Sequence, residues 1–346
     1  MNRIDPSTPS NVDELEEVLS RPSKDVVRAM SNVKGDILVL GVGGKMGPTL
    51  ARLAKRASDG AGVARHVIGV SRFSSPGLEQ RLNDWGVETI RCDLLDRASI
   101  DQLPDVENIV LMAGMKFGAT ENPSLTWVMN CHLPALVSER FRRSHLVAFS
   151  SGNVYGMTSI TGSGSVETDS PTPIGEYAST VLGRERILEH FSRQYETPMV
   201  LLRLNYAVEL RYGVLVDLAK KVLAGAPIDV SMGSANVIWQ SEANAMALQS
   251  LLVAESPPRV LNIAGAEFFG IRDVSTRLGE LISKPVRFAG TESDEAFLSN
   301  AEASYGLFHR PRVTVEQMIR WTADWVLRGG DDLDKPTHFE SRDGKY

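Results

Sequence analysis

Six apolar runs recur along the chain, and segments with helical spacing separate them. Each run is apolar throughout rather than alternating, which indicates strands buried on both faces, as in a parallel sheet covered by helices. Segments such as 47–58 and 178–193 have the spacing of helices between such strands. The pattern predicts an α/β fold with a Rossmann-type, doubly wound parallel sheet. The apolar runs cover residues 36–41, 65–71, 106–114, 144–151, 198–205 and 259–265.

The periodicity changes at both ends of this alternating region. The first residues contain two short helical patterns separated by Pro22, and the last residues are charged and rich in turn-forming types. After Asn205 the pattern loosens, as expected for a smaller lobe at the carboxyl ends of the strands. These changes divide the chain into an N-terminal helical arm (1–34), a dinucleotide-binding domain (35–205 with 236–266), a C-terminal substrate-binding lobe (206–235 with 267–330) and a surface tail (331–346).

Composition and charge narrow the class of protein. The net charge of the 346 residues is −6, which argues against a nucleic-acid or anionic membrane surface. No apolar stretch approaches the ~20 residues that span a bilayer, and the N-terminal segment lacks an export signal. Cys92 and Cys131 have neither a disulfide pattern nor metal-ligand spacing. We therefore expect a cytoplasmic protein without a metal site.

The sequence ILVLGVGGKMGPTL places a glycine turn between the first strand and a helix. Gly41, Gly44 and Gly47 have the spacing G-x-x-G-x-x-G, which lets the backbone approach a pyrophosphate at a helix N-terminus. An ordinary strand-to-helix turn is the alternative, but the position at the first strand favours a nucleotide site. Lys45, followed by Met46, would add a positive charge there unless it is an ordinary solvated lysine.

The end of the second strand bears on the choice of cofactor. Ser71 and Arg72 stand where an acidic residue would hold the adenosine ribose hydroxyls. Arg72 could pair with a 2′-phosphate, so NADP(H) is favoured and NAD(H) is possible. Asp93, after the third strand, could accept a hydrogen bond from the adenine amino group or could instead cap a helix. The expected cofactor-binding set also includes Leu94, Ala113, Gly114 and Tyr177.

Several motifs then follow in a familiar order: CDLLD, LMAG, FSSGNVYG and GEYASTVLGRE. With the glycine turn, they resemble the extended short-chain dehydrogenase/reductases, the NAD(P)-dependent epimerase/dehydratase family, over about residues 36–270. The resemblance implies an enzyme in which Ser151 holds the substrate oxygen and Tyr177 exchanges a proton with it. It also implies that Asn130 is the family's helix asparagine, and that a homodimer forms through the helices carrying Asn130 and Tyr177.

The chain departs from this family at Val181, where the resemblance implies a lysine that lowers the pKa of the tyrosine. A tyrosine near its reference pKa of about 10 is protonated at neutral pH, so it suits a general acid better than a general base. Arg184 shares a helical face with Tyr177 and Val181, and our hypothesis is that it replaces the lysine. A salt bridge at a packing surface is its alternative role. A base from the Lys116 loop, or loss of catalysis, also stays open.

The expected substrate contacts are Lys116, Asn153, Arg203 and Asn205, which lie near strand ends. Lys116 could instead be an exposed loop lysine, and Arg203 and Asn205 could close the sheet edge with hydrogen bonds. The leading prediction is an NADP(H)-dependent oxidoreductase or epimerase/dehydratase acting on a hydroxyl or carbonyl of a sugar-like small molecule. The substrate class rests on the resemblance alone. The alternative is a non-catalytic NADP(H)-binding sensor or partner-binding protein.

Overall fold

A parallel sheet organises the structure, a computed structural model that describes residues 8–345. The first seven residues of the predicted arm and the last residue of the predicted tail lie outside the described residues. The strands of the sheet are β1 (Ile37–Leu40), β2 (Val67–Ser71), β3 (Glu88–Arg91), β4 (Asn108–Leu111), β5 (His145–Ser151), β6 (Met199–Leu204) and β7 (Arg259–Ile263). Their order across the sheet is β7-β6-β5-β4-β1-β2-β3.

Helices cover both faces of this sheet. In chain order they are α1 (Val12–Leu19), α2 (Lys24–Asn32), α3 (Gly47–Gly60), α4 (Leu78–Asp84), α5 (Arg97–Asp101), α6 (Pro123–Trp127), α7 (Leu133–Arg140), α8 (Gly175–Tyr195), α9 (Val214–Leu223), α10 (Gln240–Gln249), α11 (Ile271–Ile282), α12 (Glu302–Leu307) and α13 (Val315–Leu327). Apolar residues of α2, α3 and α10 pack on one face, and those of α5 and α7 pack on the other. A π-helical turn (Val128–His132) joins α6 to α7.

The Rossmann-type, doubly wound sheet predicted from the apolar runs is confirmed. Each of the six runs contains one strand of the sheet. The seventh strand, β3, lies at the edge, and its two end residues are exposed. Because no residue of β3 is fully buried, this strand lacks the continuous apolar signal of the other six.

The smaller lobe has its own apolar core, formed chiefly by α9, α11 and α13 with Leu15 and Leu19 of the arm. Pairs of two-residue strands connect its loops. They join Thr158–Ser159 to Glu295–Ala296, Ala207–Val208 to Ile238–Trp239, Ile228–Asp229 to Phe288–Ala289, and Ser234–Ala235 to Phe269–Gly270. Among residues 8–345, no helix combines the length and apolar character needed to cross a bilayer.

Residues 331–345, here called the C-terminal strap, were predicted to be a surface tail; most of them are exposed or half-buried, but the segment is anchored at a few buried residues. Phe339 is 1% exposed and belongs to the lobe core. The backbone N–H of Thr337 donates to a carboxylate oxygen of Asp217 at 2.8 Å, and its hydroxyl donates at 2.5 Å. Gly344 packs against the backbone that begins α8. One aromatic anchor and a few hydrogen bonds thus fix a segment whose composition is mostly polar.

Candidate active site

The glycine turn connects β1 to α3. Gly41 has a φ of +90°, and a Cβ at this position would meet the amide nitrogen of Ala113 at 2.6 Å. A Cβ at Gly47 would meet the carbonyl oxygen of Val42 at 2.4 Å, so both positions exclude a side chain. Gly44 is exposed beside them. The close backbone turn and the positive end of the α3 dipole fit the phosphates of a dinucleotide.

A cavity of about 370 Å³ opens beside the glycine turn. It lies between this turn, the carboxyl ends of β4 and β5, the helix α8, the lobe and the strap. The fold therefore brings predicted residues from distant parts of the chain into one space. The predicted site residues that line it are Gly41, Gly44, Lys45, Met46, Gly47, Gly114, Lys116, Asn130, Ser151, Asn153, Tyr177 and Arg184.

Ser151 and Tyr177 meet at the wall of this cavity. Ser151, the last residue of β5, is hydrogen-bonded to the Tyr177 side chain. The Ser151 hydroxyl also donates to Asn153 Oδ1 at 3.0 Å and accepts from the Asn153 backbone N–H at 3.2 Å. Burial raises the pKa of Tyr177 above its usual value, although the Ser151 hydrogen bond and the Arg184 charge oppose the rise. The phenol is therefore protonated at neutral pH.

Val181 lies one helical turn after Tyr177 on α8. It is 3% exposed and packs with Val154 and Tyr155 in a small apolar cluster that also contacts Tyr177. Val181 lines the cavity as well. The space next to the phenol on this side of the helix is consequently apolar.

Arg184 is buried one further turn along α8. Its guanidinium donates to the carbonyl oxygen of Phe149 at 2.8 Å, to that of Ala113 at 2.9 Å and to Asn130 Oδ1 at 2.9 Å. These contacts join the segments that follow β4 and end β5. The guanidinium charge also favours the ionised form of Tyr177, because it lowers the pKa of that phenol.

Asn130 occupies the centre of the π-helical turn. Its side-chain amide donates to the carbonyl oxygen of Met115 and to the Thr180 hydroxyl, both at 2.9 Å. Its Oδ1 accepts from the Met115 backbone N–H at 2.9 Å, in addition to the bond from Arg184. Asn130 thus holds the loop after β4 against α8. In this arrangement it positions neighbouring segments of the cavity wall.

Lys45 and Lys116 both line the cavity. The Lys45 ammonium lies 3.0 Å from the Tyr212 ring centroid and 4.4 Å from that of Phe117. Burial, followed by repulsion from Lys116 and Lys335, lowers the pKa of Lys45 to about 6. Lys116 Nζ lies 5.7 Å from the ring centroid of Tyr177. Burial lowers the pKa of Lys116 to about 8.

The residues predicted for the adenosine end do not line the cavity. Ser71 ends β2 next to the glycine turn, since a Cβ at Gly43 would meet its hydroxyl at 2.5 Å. Arg72 is exposed, and Leu94 is buried. The Asp93 carboxylate accepts the backbone N–H of Leu95 at 3.1 Å. Ala113 supplies a carbonyl oxygen to Arg184 and does not line the cavity either.

Arg203 and Asn205 do not face the cavity, which corrects their assignment as substrate contacts. The buried Arg203 guanidinium contacts both carboxylate oxygens of Glu185, at 2.9 and 2.7 Å, and donates to the Tyr155 hydroxyl at 2.7 Å. The buried Asn205 amide donates to Asn236 Oδ1 at 2.8 Å. Both side chains bond to partners inside the protein. They lie at the end of β6, an inner strand, so they do not close the edge of the sheet either.

Sequence reasoning missed several residues of the cavity wall. Lys335 and Thr337 reach it from the strap, which was excluded from the site as a surface tail. Pro336 and Phe339 are the signal that could have found them, because a conformationally restricted residue and a large apolar side chain in a charged segment indicate anchoring. Phe117 also lines the cavity, on the loop that carries Lys116.

Comparison with known sequences decides the family. The sequence model of the NAD dependent epimerase/dehydratase family matches residues 37–231, more than half of the chain. The protein belongs to this family. This is the family of nicotinamide-dependent enzymes that the motifs and their order predicted. No curated protein matches the chain by sequence.

Solved structures with this fold include nucleotide-sugar enzymes. The dTDP-glucose 4,6-dehydratase of Bacillus anthracis, in complex with NAD, is 17% identical, with a TM-score of 0.70 over 84% of this chain and 96% of that one. The UDP-glucuronic acid 4-epimerase of Bacillus cereus, in complex with UDP-glucuronic acid and NAD, is 19% identical, with a TM-score of 0.69 over 84% of this chain and 98% of that one. The UDP-glucose 4-epimerase of Thermus thermophilus, in complex with NAD, is 20% identical, with a TM-score of 0.68 over 85% of this chain and 99% of that one.

Proposed function

We propose that the protein is an oxidoreductase or epimerase/dehydratase that acts on a hydroxyl or carbonyl group of a sugar-like small molecule. Tyr177 is its general acid/base, and Ser151 orients the substrate oxygen. The observation that carries this proposal is the hydrogen bond between these two side chains at the wall of a cavity beside the glycine turn. The sugar-like substrate is supported by the dTDP-glucose and UDP-sugar enzymes that share the fold.

The raised pKa of Tyr177 sets the preferred direction of proton transfer. A protonated phenol is ready to donate to the oxygen of a carbonyl substrate, and Ser151 holds that oxygen in place. Arg184 then stabilises the phenolate left behind, because its charge acts on the phenol through a buried environment. Alcohol oxidation needs the phenolate first, so it is favoured only at alkaline pH.

The cofactor that fits the glycine turn is a nicotinamide dinucleotide, and we propose that it is NADP(H). When bound, it supplies or accepts the hydride of the reaction. The backbone of Gly41 to Gly47 holds the phosphates, and the exposed Arg72 at the end of β2 pairs with the 2′-phosphate. An acidic residue at that strand end would instead have favoured the free ribose hydroxyls of NAD(H).

We also propose a homodimer formed through α6, α7 and α8. Leu125, Trp127 and Val128 are 38%, 44% and 37% exposed on the segment that enters the π-helical turn. The Trp127 indole N–H donates to the Glu176 carboxylate of α8 at 2.8 Å, so the exposed apolar side chains lie next to that helix. A second copy of the chain would bury this surface.

One observation favours a second candidate function, a non-catalytic NADP(H) sensor. Val181 is packed where the resembled family has a lysine, and no other residue of α8 restores an amine there. A pure binder has no need of the Ser151 and Tyr177 pair, which argues for the enzyme. The two functions differ in whether bound NADPH is consumed.

The test measures NADPH binding by fluorescence and then its oxidation with a panel of keto-sugars and keto-acids. We expect Tyr177→Phe to lower the rate about 100-fold or more while NADPH affinity stays within about twofold, because only the proton donor is removed. Tyr195→Phe, the same change further along α8, is the matched control. Binding without oxidation by any substrate of the panel would favour the sensor.

A further inference from the structure

The charge of the cavity is opposite to that of the protein. The chain carries a net charge of −6, yet the cavity lining contains Lys45, Lys116, Arg184 and Lys335 and no aspartate or glutamate among the described residues. Arg184 is occupied with backbone and Asn130 oxygens. The three lysines reach the lining from the glycine turn, the loop after β4 and the strap.

Lys45 is aimed at the lobe rather than at the glycine turn that carries it. Its ammonium contacts the faces of Tyr212, from the lobe, and Phe117, from the loop after β4. The two rings meet edge to face with their centroids 6.3 Å apart. Their negative faces stabilise the cation and restrict its position. The charge of Lys45 is thus presented on the substrate side of the cavity.

Lys116 extends this cationic surface to the proposed catalytic phenol. It lies next to Phe117 in sequence, and its ammonium is 5.7 Å from the Tyr177 ring centroid. The nearby acids are held by other partners. Glu209 is bonded to Arg211, and Asp217 is bonded to Thr337 of the strap. Asp332 and Asp334, which line a neighbouring pocket with Lys335, contact the Lys220 ammonium group.

The strap brings Lys335 to the mouth of the same cavity. Its path is fixed on both sides, because the backbone N–H of Leu333 donates to the carbonyl oxygen of Arg211 at 3.1 Å and Thr337 is bonded to Asp217. Lys335 itself is exposed. A segment anchored in this way holds a cation at the mouth with little loss of entropy on binding a ligand.

We propose that Lys45, Lys116 and Lys335 bind an anionic group of the substrate, a carboxylate or a phosphate, which lies between Tyr177 and the strap. This inference rests on the proposed function and specifies the substrate class of the same site. A cofactor phosphate is the other possible source of such an anion. The backbone of the glycine turn already meets the cofactor phosphates, whereas the three ammonium groups converge from the turn, the β4 loop and the strap.

The lowered pKa values of Lys45 and Lys116 agree with this arrangement. In the ligand-free protein, burial disfavours both ammonium groups, and mutual repulsion further disfavours the charge on Lys45. An anion between them removes this repulsion, so its binding is coupled to proton uptake. The cavity is consequently better matched to an acidic substrate than to a neutral one.

The experiment is calorimetric titration of the full chain with inorganic phosphate at neutral pH and constant ionic strength, in saturating NADPH. Saturation occupies the phosphate sites of the cofactor, so any remaining phosphate binding is separate from them. We expect binding that Lys335→Gln weakens about fivefold, the effect of one cation near a partly solvated anion. Lys335 is exposed, so its replacement leaves the fold intact. The matched control is Lys284→Gln, because Lys284 is also exposed but lies outside the cavity.

The outcomes separate the two proposals. Phosphate that binds the NADPH complex and is weakened only by Lys335→Gln supports the anion site. Three results overturn the anion site and leave the proposed function in place. Phosphate does not bind the NADPH complex, it competes with NADPH, or it binds both variants as tightly as it binds the wild type. Absence of NADPH binding overturns both.

Discussion

Replacing Lys45 by methionine tests the charge balance of the cavity without a substrate. The lysine is half-buried against Tyr212 and Phe117. Burial and the neighbouring Lys116 and Lys335 lower its pKa to about 6 in the folded protein. In the unfolded chain a lysine has its ordinary pKa of about 10.4. Methionine is similar in length and packs on aromatic rings without a charge.

The two pKa values give the sign and size of the effect. Because the folded pKa is lowered, the unfolded chain binds more protons between about pH 6 and about pH 10.4, and stability rises with pH through this window. Linkage sets the cost of Lys45 at no more than about 4–5 kcal/mol at pH 7 and about 1 kcal/mol at pH 9.5. Partial exposure and two cation–π contacts offset some of this cost, so we expect the actual cost of Lys45 to be about half of these limits.

Urea unfolding of the wild type and the variant at these two pH values measures the difference. Lys45→Met is expected to raise the free energy of unfolding by about 2 kcal/mol at pH 7 and by about 0.5 kcal/mol at pH 9.5. Lys284→Met, at an exposed lysine outside the cavity, is expected to change it by less than about 0.5 kcal/mol at either pH. A variant less stable than the wild type at pH 7, or a gap that does not shrink with pH, would refute the reasoning.

Two further predictions concern buried anchors. Arg184→Met removes the hydrogen bonds to the Phe149 and Ala113 carbonyl oxygens and one of the two bonds to Asn130 Oδ1, and it should cost about 3–5 kcal/mol in urea unfolding. It should also move the alkaline limb of the pH–rate profile to higher pH, whereas Arg184→Lys keeps the charge and the profile. Equal profiles for the two variants would end the electrostatic role. Phe339→Ala should lower the free energy of unfolding by about 3 kcal/mol and make the strap sensitive to limited proteolysis. Phe268→Ala, at a partly exposed site, is the control and should do neither. A loss below about 0.5 kcal/mol for Phe339→Ala would mean that the strap is detached in solution.

The sheet was predictable because its information is local. A strand buried on both faces has to be apolar throughout, and the glycine turn has to lack side chains at Gly41 and Gly47. The pairing of Ser151 with Tyr177 followed from motifs whose order reflects the fold. The edge strand β3 was harder to find because its exposed end residues remove the continuous apolar pattern.

The wrong assignments came from long-range contacts. The strand-end rule located Arg203 at the correct edge of the sheet, but Glu185 of α8 meets its guanidinium inside the protein. The same rule could not show that Asn205 pairs with Asn236, which lies far away in the sequence. The strap was missed because Phe339 finds its apolar partners far away in sequence, in a segment whose own composition is polar.

Arg211 connects the two ends of the described chain. Its guanidinium donates to Glu16 of α1 at 3.2 Å, and its carbonyl oxygen accepts from the N–H of Leu333 at 3.1 Å. The next residue, Tyr212, forms part of the cavity wall. Contacts of such high sequence separation close long loops, and the entropy lost in closing a loop is offset only when the contact forms. We therefore expect the helices and the sheet to form first. The cavity wall at Tyr212 is completed only when α1 and the strap have both docked on the loop that carries Arg211.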